Sequence, residues 1–459
     1  MSAIIDNPKT VYRRALGFYA FTTLPASALG VLFANFYFIY ATDVLLLAPA
    51  VVGTLLALAR VYDGVSDIAI AAWSDRAESR HGRRRPFILA GGLICVLLPM
   101  LWLVPSGMGP LATAAWVLVA LIAVQTAFTL RTIPLSAIGI EAGETAQRRT
   151  LYGIVIPFLA VPAAIGMNFV GQGIIESADP VAVVTPWAVG LSALVVILTL
   201  AAIPFLKELP ARHASVERNV WGMIKEVLGV GYHRQLIGVQ FAESFAFTSL
   251  AFSVPYMLSY VIGRPDMIAA IFVTYLVVQR VASFGWYRMI PRWGMRDIWS
   301  KGLKLWALVF VGVPFTLWGG LPLYLALTVL AGVAGGAAAV NFAMLGDVSD
   351  YDAKLSGRQR QGIYMTIYRL VGNIGGAATG FALGWLLQLA GYVPNGEQSA
   401  TTITAIVASS SLLPIIGVGI GVALLARYRL YEREGMSDGR ESVQPSAASS
   451  RGVGSASVA

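Results

Sequence analysis

The chain has 459 residues, of which 57% are hydrophobic and only 12% are charged, and its mean hydropathy is +0.71. A soluble domain carries about 25% charged residues, so this composition excludes a set of soluble domains. The net charge of +9 does not indicate nucleic-acid binding, because the basic residues are concentrated in short gaps between long apolar runs.

The apolar runs are long enough to be membrane-spanning helices. A helix needs about 20 apolar residues to cross the hydrocarbon core. The N-terminus from Met1 to Arg14 is polar and leads into a full-length span, so no signal peptide is expected. Twelve runs qualify as spans, at 16–41, 48–74, 87–106, 111–140, 151–175, 185–206, 236–262, 267–290, 303–319, 321–345, 362–392 and 403–427.

The distribution of charge over the gaps predicts the orientation of the chain. Alternate gaps hold nearly all the arginines and lysines, whereas the opposite gaps are acidic and contain one basic residue, Arg264. Because basic residues favour cytoplasmic loops, both termini are expected in the cytoplasm. The predicted organisation is a six-helix bundle at 1–206, a cytoplasmic loop with a short interfacial helix at 207–235, a second six-helix bundle at 236–430 and a disordered tail at 431–459.

Two aspartates in the second span indicate a cation site. Asp63 and Asp67 are four residues apart, so they lie one turn from each other on one helical face. Carboxylates this close repel each other unless a cation lies between them or one binds a proton. Hard cations prefer oxygen ligands, and Ser66 and Thr129 supply neutral oxygens, so the pattern predicts a site for Na⁺, Li⁺ or H⁺. The alternative is a structural ion pair with Arg60, one turn before Asp63.

Four further charges lie inside predicted spans, where a charge is costly and is by default a functional candidate. They are Arg131, Glu243, Arg280 and Arg369, and the polar Asn373 lies one turn after the last of them. Arginine–acid pairs would satisfy several of these charges without a ligand. For each of these charges two alternatives therefore remain open: a structural or gating role, and contact with the substrate.

Two cytoplasmic gaps contain charges in a specific order. In the first, at 75–86, Gly82 permits a tight turn, Pro86 opens the next helix, and the arginines can pair with acids or helix C-termini. The second gap, at 346–361, alternates acids with small residues before a basic stretch. We expect the two loops to form a cytoplasmic gate. Its residues are Asp75, Arg76, Arg83, Arg84, Arg85, Asp347, Asp350 and Arg358.

These motifs resemble the signature of a transporter family. The stretch YDGVSD from Tyr62 to Asp67, followed by SDR at 74–76 and GRRRP at 82–86, is similar to that of the glycoside–pentoside–hexuronide:cation symporters. This family includes the melibiose permeases and belongs to the major facilitator superfamily, and its loop before the eleventh helix resembles residues 344–362. The resemblance implies an all-α membrane protein with twelve helices in two six-helix halves. It assigns the family's cation positions to Asp63, Ser66, Asp67 and Thr129.

The chain departs from the family at the sugar-binding positions. The acid of the first span falls near Ser27, the Asp or Asn of the fourth span is Thr132, and the fifth-span arginine falls at 155–157. The eleventh-span lysine is Asn373. A buried sugar needs polar partners, because unpaired hydroxyls are costly, so a less polar glycoside or an amphiphile is also expected as substrate. The predicted substrate path comprises Ser27, Arg131, Thr132, Glu243, Arg369 and Asn373.

The predicted function is symport of a sugar or glycoside with Na⁺ or H⁺ by alternating access, in a bacterial inner membrane. The alternatives are transport of a less polar amphiphile or lipid-like solute, and proton-driven efflux. An enzyme is not expected, because the three histidines lie in gaps and no metal or nucleophile motif is present. The expected partners are a small-molecule substrate and the lipid bilayer. No cofactor and no metal other than the coupling cation is expected, and the working unit is expected to be a monomer.

Overall fold

The computed structural model describes residues 8–77, 79, 82–142, 146–206, 208, 220–358, 360–434 and 438–439. In this part of the chain the regular elements are fifteen α-helices, joined in places by short 3-10 or π-helical segments. The α-helices are α1 (Pro8–Asp43), α2 (Pro49–Arg76), α3 (Arg85–Ile94), α4 (Pro110–Ala142), α5 (Ala146–Glu176), α6 (Pro180–Ala202), α7 (Val220–Gly229), α8 (Gly231–Tyr256), α9 (Ile268–Trp293), α10 (Met295–Gly312), α11 (Thr316–Gly336), α12 (Asn341–Ser356), α13 (Gln361–Leu389), α14 (Ala400–Arg427) and α15 (Leu430–Glu434).

The described residues contain nine helical segments that are long and apolar enough to cross a membrane. One of them, Met295–Ser356, is 62 residues long and includes α10, α11 and α12. Inside it Gly320 has a φ of +54°, at the break predicted between 319 and 321. A backbone in this region suits glycine, which has no Cβ to clash. The all-helical membrane fold is confirmed, and the exact number of twelve spans stays a prediction.

Two segments differ from the prediction. The third predicted span, 87–106, is an α-helix only to Ile94 and continues as a 3-10 helix from Cys95 to Leu101. That segment contains Pro99, which cannot donate a backbone hydrogen bond. The second gate loop, predicted at 346–361, is helical as far as Ser356, because α12 continues through its acidic residues.

The central segment and the tail are described in part. The short helix predicted in the central segment is confirmed as α7, whereas residues 207 and 209–219 lie outside the described residues. The tail predicted from 431 begins with the end of α15, and residues 435–437 and 440–459 also lie outside.

Two large cores hold the helices together. One core consists of residues from Val227 onward, including Trp299, Phe310 and Tyr364. The other consists mainly of residues from α1 to α6 but includes side chains from α8, α9, α13 and α14. Within it Phe36 lies 5.6 Å from Phe272 between ring centroids. Early and late helices therefore share one hydrophobic core.

Helices α2 and α13 approach closely along a seam of glycines. A Cβ atom added to Gly384 would lie 3.1 Å from the Cα of Gly53, and one added to Gly53 would meet the backbone of Gly380. Small residues permit such close approach of membrane helices, where packing rather than the hydrophobic effect drives association. The seam brings the beginning of α2 next to the end of α13, and nearer the middle of both helices a Cβ atom added to Gly64 would meet the side chain of Leu370.

We expect cysteines that replace Asp179 and Glu397 to react with membrane-impermeant reagents from outside the cell. A cysteine at Gly357 should react from inside only, because the gaps around it are rich in arginine. Labelling of intact cells and of inverted vesicles measures this. Labelling of Gly357 in intact cells would contradict the predicted orientation.

Candidate functional site

The predicted cation residues lie where α2, α4 and α13 meet. Thr129 of α4 donates a hydrogen bond to Asp67 Oδ1 at 3.1 Å. Asn373 of α13 donates one through Nδ2 to Asp63 Oδ2 at 3.0 Å. Ser66 is buried beside them, and its hydroxyl donates to the backbone carbonyl of Asp63 at 3.0 Å. The two carboxylates, one helical turn apart on α2, therefore accept hydrogen bonds from α4 and α13, and their oxygens are of the kind that a hard cation prefers.

Within the part of the chain that the structure describes, the two arginines that act on these carboxylates, Arg60 and Arg369, form no ion pair with them. Arg60 and Arg369 both act electrostatically on Asp63, and Arg369 also acts on Asp67. In the described part of the chain, neither arginine has a nitrogen within the 4.0 Å of a salt bridge to these carboxylates. The geometry therefore differs from the alternative of a structural ion pair with Arg60.

Three residues of the predicted substrate path line one cavity. Ser27, Arg131 and Thr132 belong to a cavity of about 380 Å³ between α1, α2, the segment after α3, and α4. Arg131 is buried, and its Nη1 donates to the carbonyl oxygen of Thr22 at 2.7 Å, while its Nε has no hydrogen-bond partner among the described groups. We call this space the first cavity. Arg60 and Gln125 also line it, so it presents two guanidinium groups and an amide.

The other residues of the predicted path lie elsewhere. Asn373 lies beside the predicted cation residues, because it is bonded to Asp63. Arg369 is exposed, one turn before Asn373 on α13. Glu243 on α8 accepts a hydrogen bond from Trp299 Nε1 at 3.2 Å and does not line the first cavity. The six residues are therefore divided among three places.

Four of the eight predicted gate residues contact two glutamates of the central segment, which the sequence analysis did not single out. The backbone N–H groups of Arg83, Arg84 and Arg85 donate to the carboxylate of Glu208, at distances of 2.8 to 3.2 Å. Glu226 of α7 lies 2.8 Å from Arg360 and 3.7 Å from Arg358. The remaining contacts join Asp347 to Tyr431 and Asp350 to Gln361, and the side chains of Asp75 and Arg76 lie outside the described part.

Replacement of Glu208 by glutamine is expected to destabilise the start of α3 by about 1–2 kcal/mol. The carboxylate accepts from three successive N–H groups at a helix N-terminus, where a negative charge is favourable. Thermal unfolding of the purified protein should show a lower midpoint than wild type. Glu397→Gln, an exposed acid, is the control, and equal midpoints for both variants would contradict the prediction.

A second group of contacts, missed by the sequence analysis, links helix ends at the side of the molecule that is predicted to face outward. Asp43, the last residue of α1, accepts hydrogen bonds from the hydroxyls of Tyr260 and Tyr392, the latter at 2.6 Å. Its backbone carbonyl accepts one from Asn395 Nδ2 at 2.7 Å, and Thr42 pairs with Tyr256 at 2.8 Å. We call these six residues the outer cluster. It joins the end of α1 to the end of α8 and to the loop between α13 and α14.

These features define an all-helical membrane protein that has two carboxylates on one span, each bound by a side chain of another helix, and a cavity whose lining includes two arginines. The profile of the MFS/sugar transport protein family matches residues 18–432, and the chain belongs to this family. The family consists of transporters and not of enzymes.

Individual relatives agree with this assignment. The chain is 24% identical to a putative glycoside/cation symporter of Escherichia coli (strain K12), over 93% of each chain. It is 22% identical to the isoprimeverose transporter of Lactiplantibacillus pentosus, over 87% of this chain and 85% of that one. The solved D-xylose-proton symporter aligns with a TM-score of 0.60 at 14% identity, over 92% and 96% of the two chains, which shows a shared fold.

Proposed function

We propose that this protein is a cation-coupled symporter that carries a sugar or glycoside across a bacterial inner membrane by alternating access. The observation that carries the proposal is the contact of Asp63 with Asn373 and of Asp67 with Thr129. Carboxylates inside a span are costly, and their assembly with a hydroxyl from another helix favours a bound cation. Membership of a sugar transport family and the relatives named above support a sugar as the co-transported substrate.

The cluster provides a physical route for coupling. A cation between Asp63 and Asp67 reduces their repulsion and orders α2 against α4 and α13. The first cavity is lined by the same α2 and α4, so a change in their packing alters the substrate site. Binding of the cation and binding of the substrate are therefore expected to strengthen each other by the same factor.

We also propose that the protein has two six-helix halves, with their boundary in the central segment. In this proposal both termini are cytoplasmic and the working unit is a monomer. The gate residues around Glu208 and Glu226 would hold the cytoplasmic loops when that side closes. Arg84→Ala or Asp350→Ala is then expected to slow transport more than it weakens substrate binding. Such couplings are of the order of 1–3 kcal/mol.

Uptake into proteoliposomes tests the proposal directly. The panel is D-xylose, isoprimeverose and a glucuronide, each supplied with an inward Na⁺ gradient, with an inward proton gradient and without either. We expect accumulation of at least one sugar above its external concentration under one gradient, and equilibration without a gradient. No accumulation of any sugar under either gradient would overturn the proposal.

A further inference from the structure

A cavity of about 720 Å³ lies where the start of α8 meets the ends of α12 and α14. We call it the arginine cavity, because its lining includes Arg427, Arg429 and Arg433. All of its lining residues belong to predicted cytoplasmic gaps or to the ends of the spans beside them. It shares no lining residue with the first cavity and contains none of the eight predicted gate residues.

The three arginines lie within two turns of one another at the end of the described chain. The backbone N–H of Arg433 donates to the carbonyl oxygen of Arg429 at 3.0 Å, so these two residues are one helical turn apart on one face. Arg427 precedes Arg429 by two residues, and all three are exposed. Arg429 lies 3.8 Å from Glu432. In the described part of the chain, neither Arg427 nor Arg433 has a carboxylate within the 4.0 Å of a salt bridge.

The rest of the wall adds little negative charge. Asp352 is the carboxylate among the described lining residues, and it already lies 4.0 Å from Arg360. Gly231, the first residue of α8, also lines the cavity, and the preceding Val230 provides no side-chain cap. A Cβ atom added to Gly231 would meet no other atom within 4 Å. An open helix N-terminus favours an anion, so it supports what the arginines already indicate.

An apolar stripe on α14 leads from the predicted membrane interior toward this cavity. Leu412, Ile416 and Ile420 are spaced by four residues, and each is more than half exposed. Arg427 follows Ile420 by seven residues, or two turns, so it lies on the same face about 10 Å farther along the helix. A soluble phosphate compound would make no use of the stripe. A lipid would use both features, because its acyl chain packs on apolar side chains while its headgroup lies at the helix end.

We propose that the arginine cavity binds the headgroup of an anionic phospholipid, with an acyl chain along the stripe of α14. The phosphate is held by the guanidinium groups of the wall, whose planar donors match phosphate oxygens in charge and geometry. Basic pockets between helices on the cytoplasmic side suit such headgroups, because anionic lipids give that leaflet a negative surface potential. The inference does not depend on which solute the protein carries.

Native mass spectrometry of the full chain in detergent, with added lipids of identical acyl chains, tests the proposal. The probes are phosphatidylglycerol, zwitterionic phosphatidylcholine, and glycerol 1-phosphate, which has the phosphate without acyl chains. We expect phosphatidylglycerol to bind at least about tenfold more tightly than either other probe, since each arginine near a membrane surface contributes about fivefold to the binding of anionic lipid.

The double variant Arg427→Gln/Arg433→Gln should reduce the preference for phosphatidylglycerol over phosphatidylcholine to less than about twofold. Phosphatidylcholine should still bind, because the stripe of α14 is unchanged. Both arginines are exposed, so the midpoint of thermal unfolding should equal that of the wild type. Arg433→Gln alone should lower the preference at least about threefold, and it carries the test if the double variant does not fold.

Arg288→Gln/Arg292→Gln is the matched control, since these two arginines are exposed near the end of α9 and do not line the cavity. It should keep the wild-type preference. Equal binding of the two lipids by the wild type, an unchanged preference in the cavity variants, or an equal loss in the control would overturn the proposal. Binding of glycerol 1-phosphate as tight as that of phosphatidylglycerol would also overturn it, in favour of a soluble phosphate compound. Failure of sugar uptake would leave these results unchanged.

Discussion

Replacement of Asp63 by asparagine is expected to abolish cation-driven accumulation of substrate while the protein remains folded and inserted. The substitution removes one of the two carboxylates on this face of α2, so a cation held between them loses one of its two charged ligands. Substrate affinity at saturating cation should fall by up to roughly 100-fold, the upper range of such couplings. Downhill exchange should survive, because Asp63 does not line the first cavity. Asp67→Asn should act similarly, though not identically, because Asp67 accepts a hydrogen bond from Thr129 whereas Asp63 accepts one from Asn373.

The deciding measurement is substrate affinity against Na⁺, Li⁺ and pH in the wild type and in Asp63→Asn. Glu397→Gln is the control, because Glu397 is an exposed acid in a gap between predicted spans. A structural role for Asp63 would lower thermal stability at every cation concentration. If substrate affinity and uptake in the wild type do not change with Na⁺, Li⁺ or pH, the cation site is ruled out.

Replacement of Asp43 by alanine is expected to open the outer end of the transporter. The side chain accepts hydrogen bonds from Tyr260, in the segment that follows α8, and from Tyr392, in the loop between α13 and α14. Hydrogen bonds to a charged group contribute about 1.5–3 kcal/mol each. Loss of both should therefore shift the ratio of open to closed molecules by at least about tenfold.

Spin labels at Ala178 and Glu397, two exposed positions near the outer cluster, report this change as a longer distance distribution in Asp43→Ala. Tyr392→Phe removes one of the two donors and should give a smaller shift. Asp266→Asn is the control, since Asp266 pairs at 2.7 Å with Arg264 of its own loop. An unchanged distribution in Asp43→Ala would show that the outer cluster does not hold this end closed.

Local spacing was sufficient to propose Asp63 and Asp67 as candidate cation ligands. Asp63 and Asp67 are one turn apart on a single helix, and intramembrane charge is rare enough to be noticed without a structure. The all-helical fold followed in the same way from long apolar runs. The course of α3 did not, because a proline inside an apolar run permits either a kinked α-helix or the 3-10 segment seen at 95–101.

Contacts between distant parts of the chain could not be predicted from spacing. Asn373 lies 310 positions from its partner Asp63, and Tyr392 lies 349 positions from Asp43. Neither pair has a local pattern in the sequence that would connect its two members. The spacing of Tyr256 and Tyr260, four residues apart at the end of a span, was the one local signal of an aromatic face there.

The seam between α2 and α13 also sets an order of events during synthesis. Ribosomes add roughly 5–20 residues per second. Asn373, which contacts Asp63, is therefore synthesised about 15–60 s after Asp63. Thr129 follows only 62 positions after Asp67, within roughly 3–12 s. Two aspartates therefore reside in the bilayer with a partner from α4 long before α13 is translated. The nascent chain must keep its second helix inserted throughout that interval, and premature termination before α13 leaves the Gly53 surface without its partner.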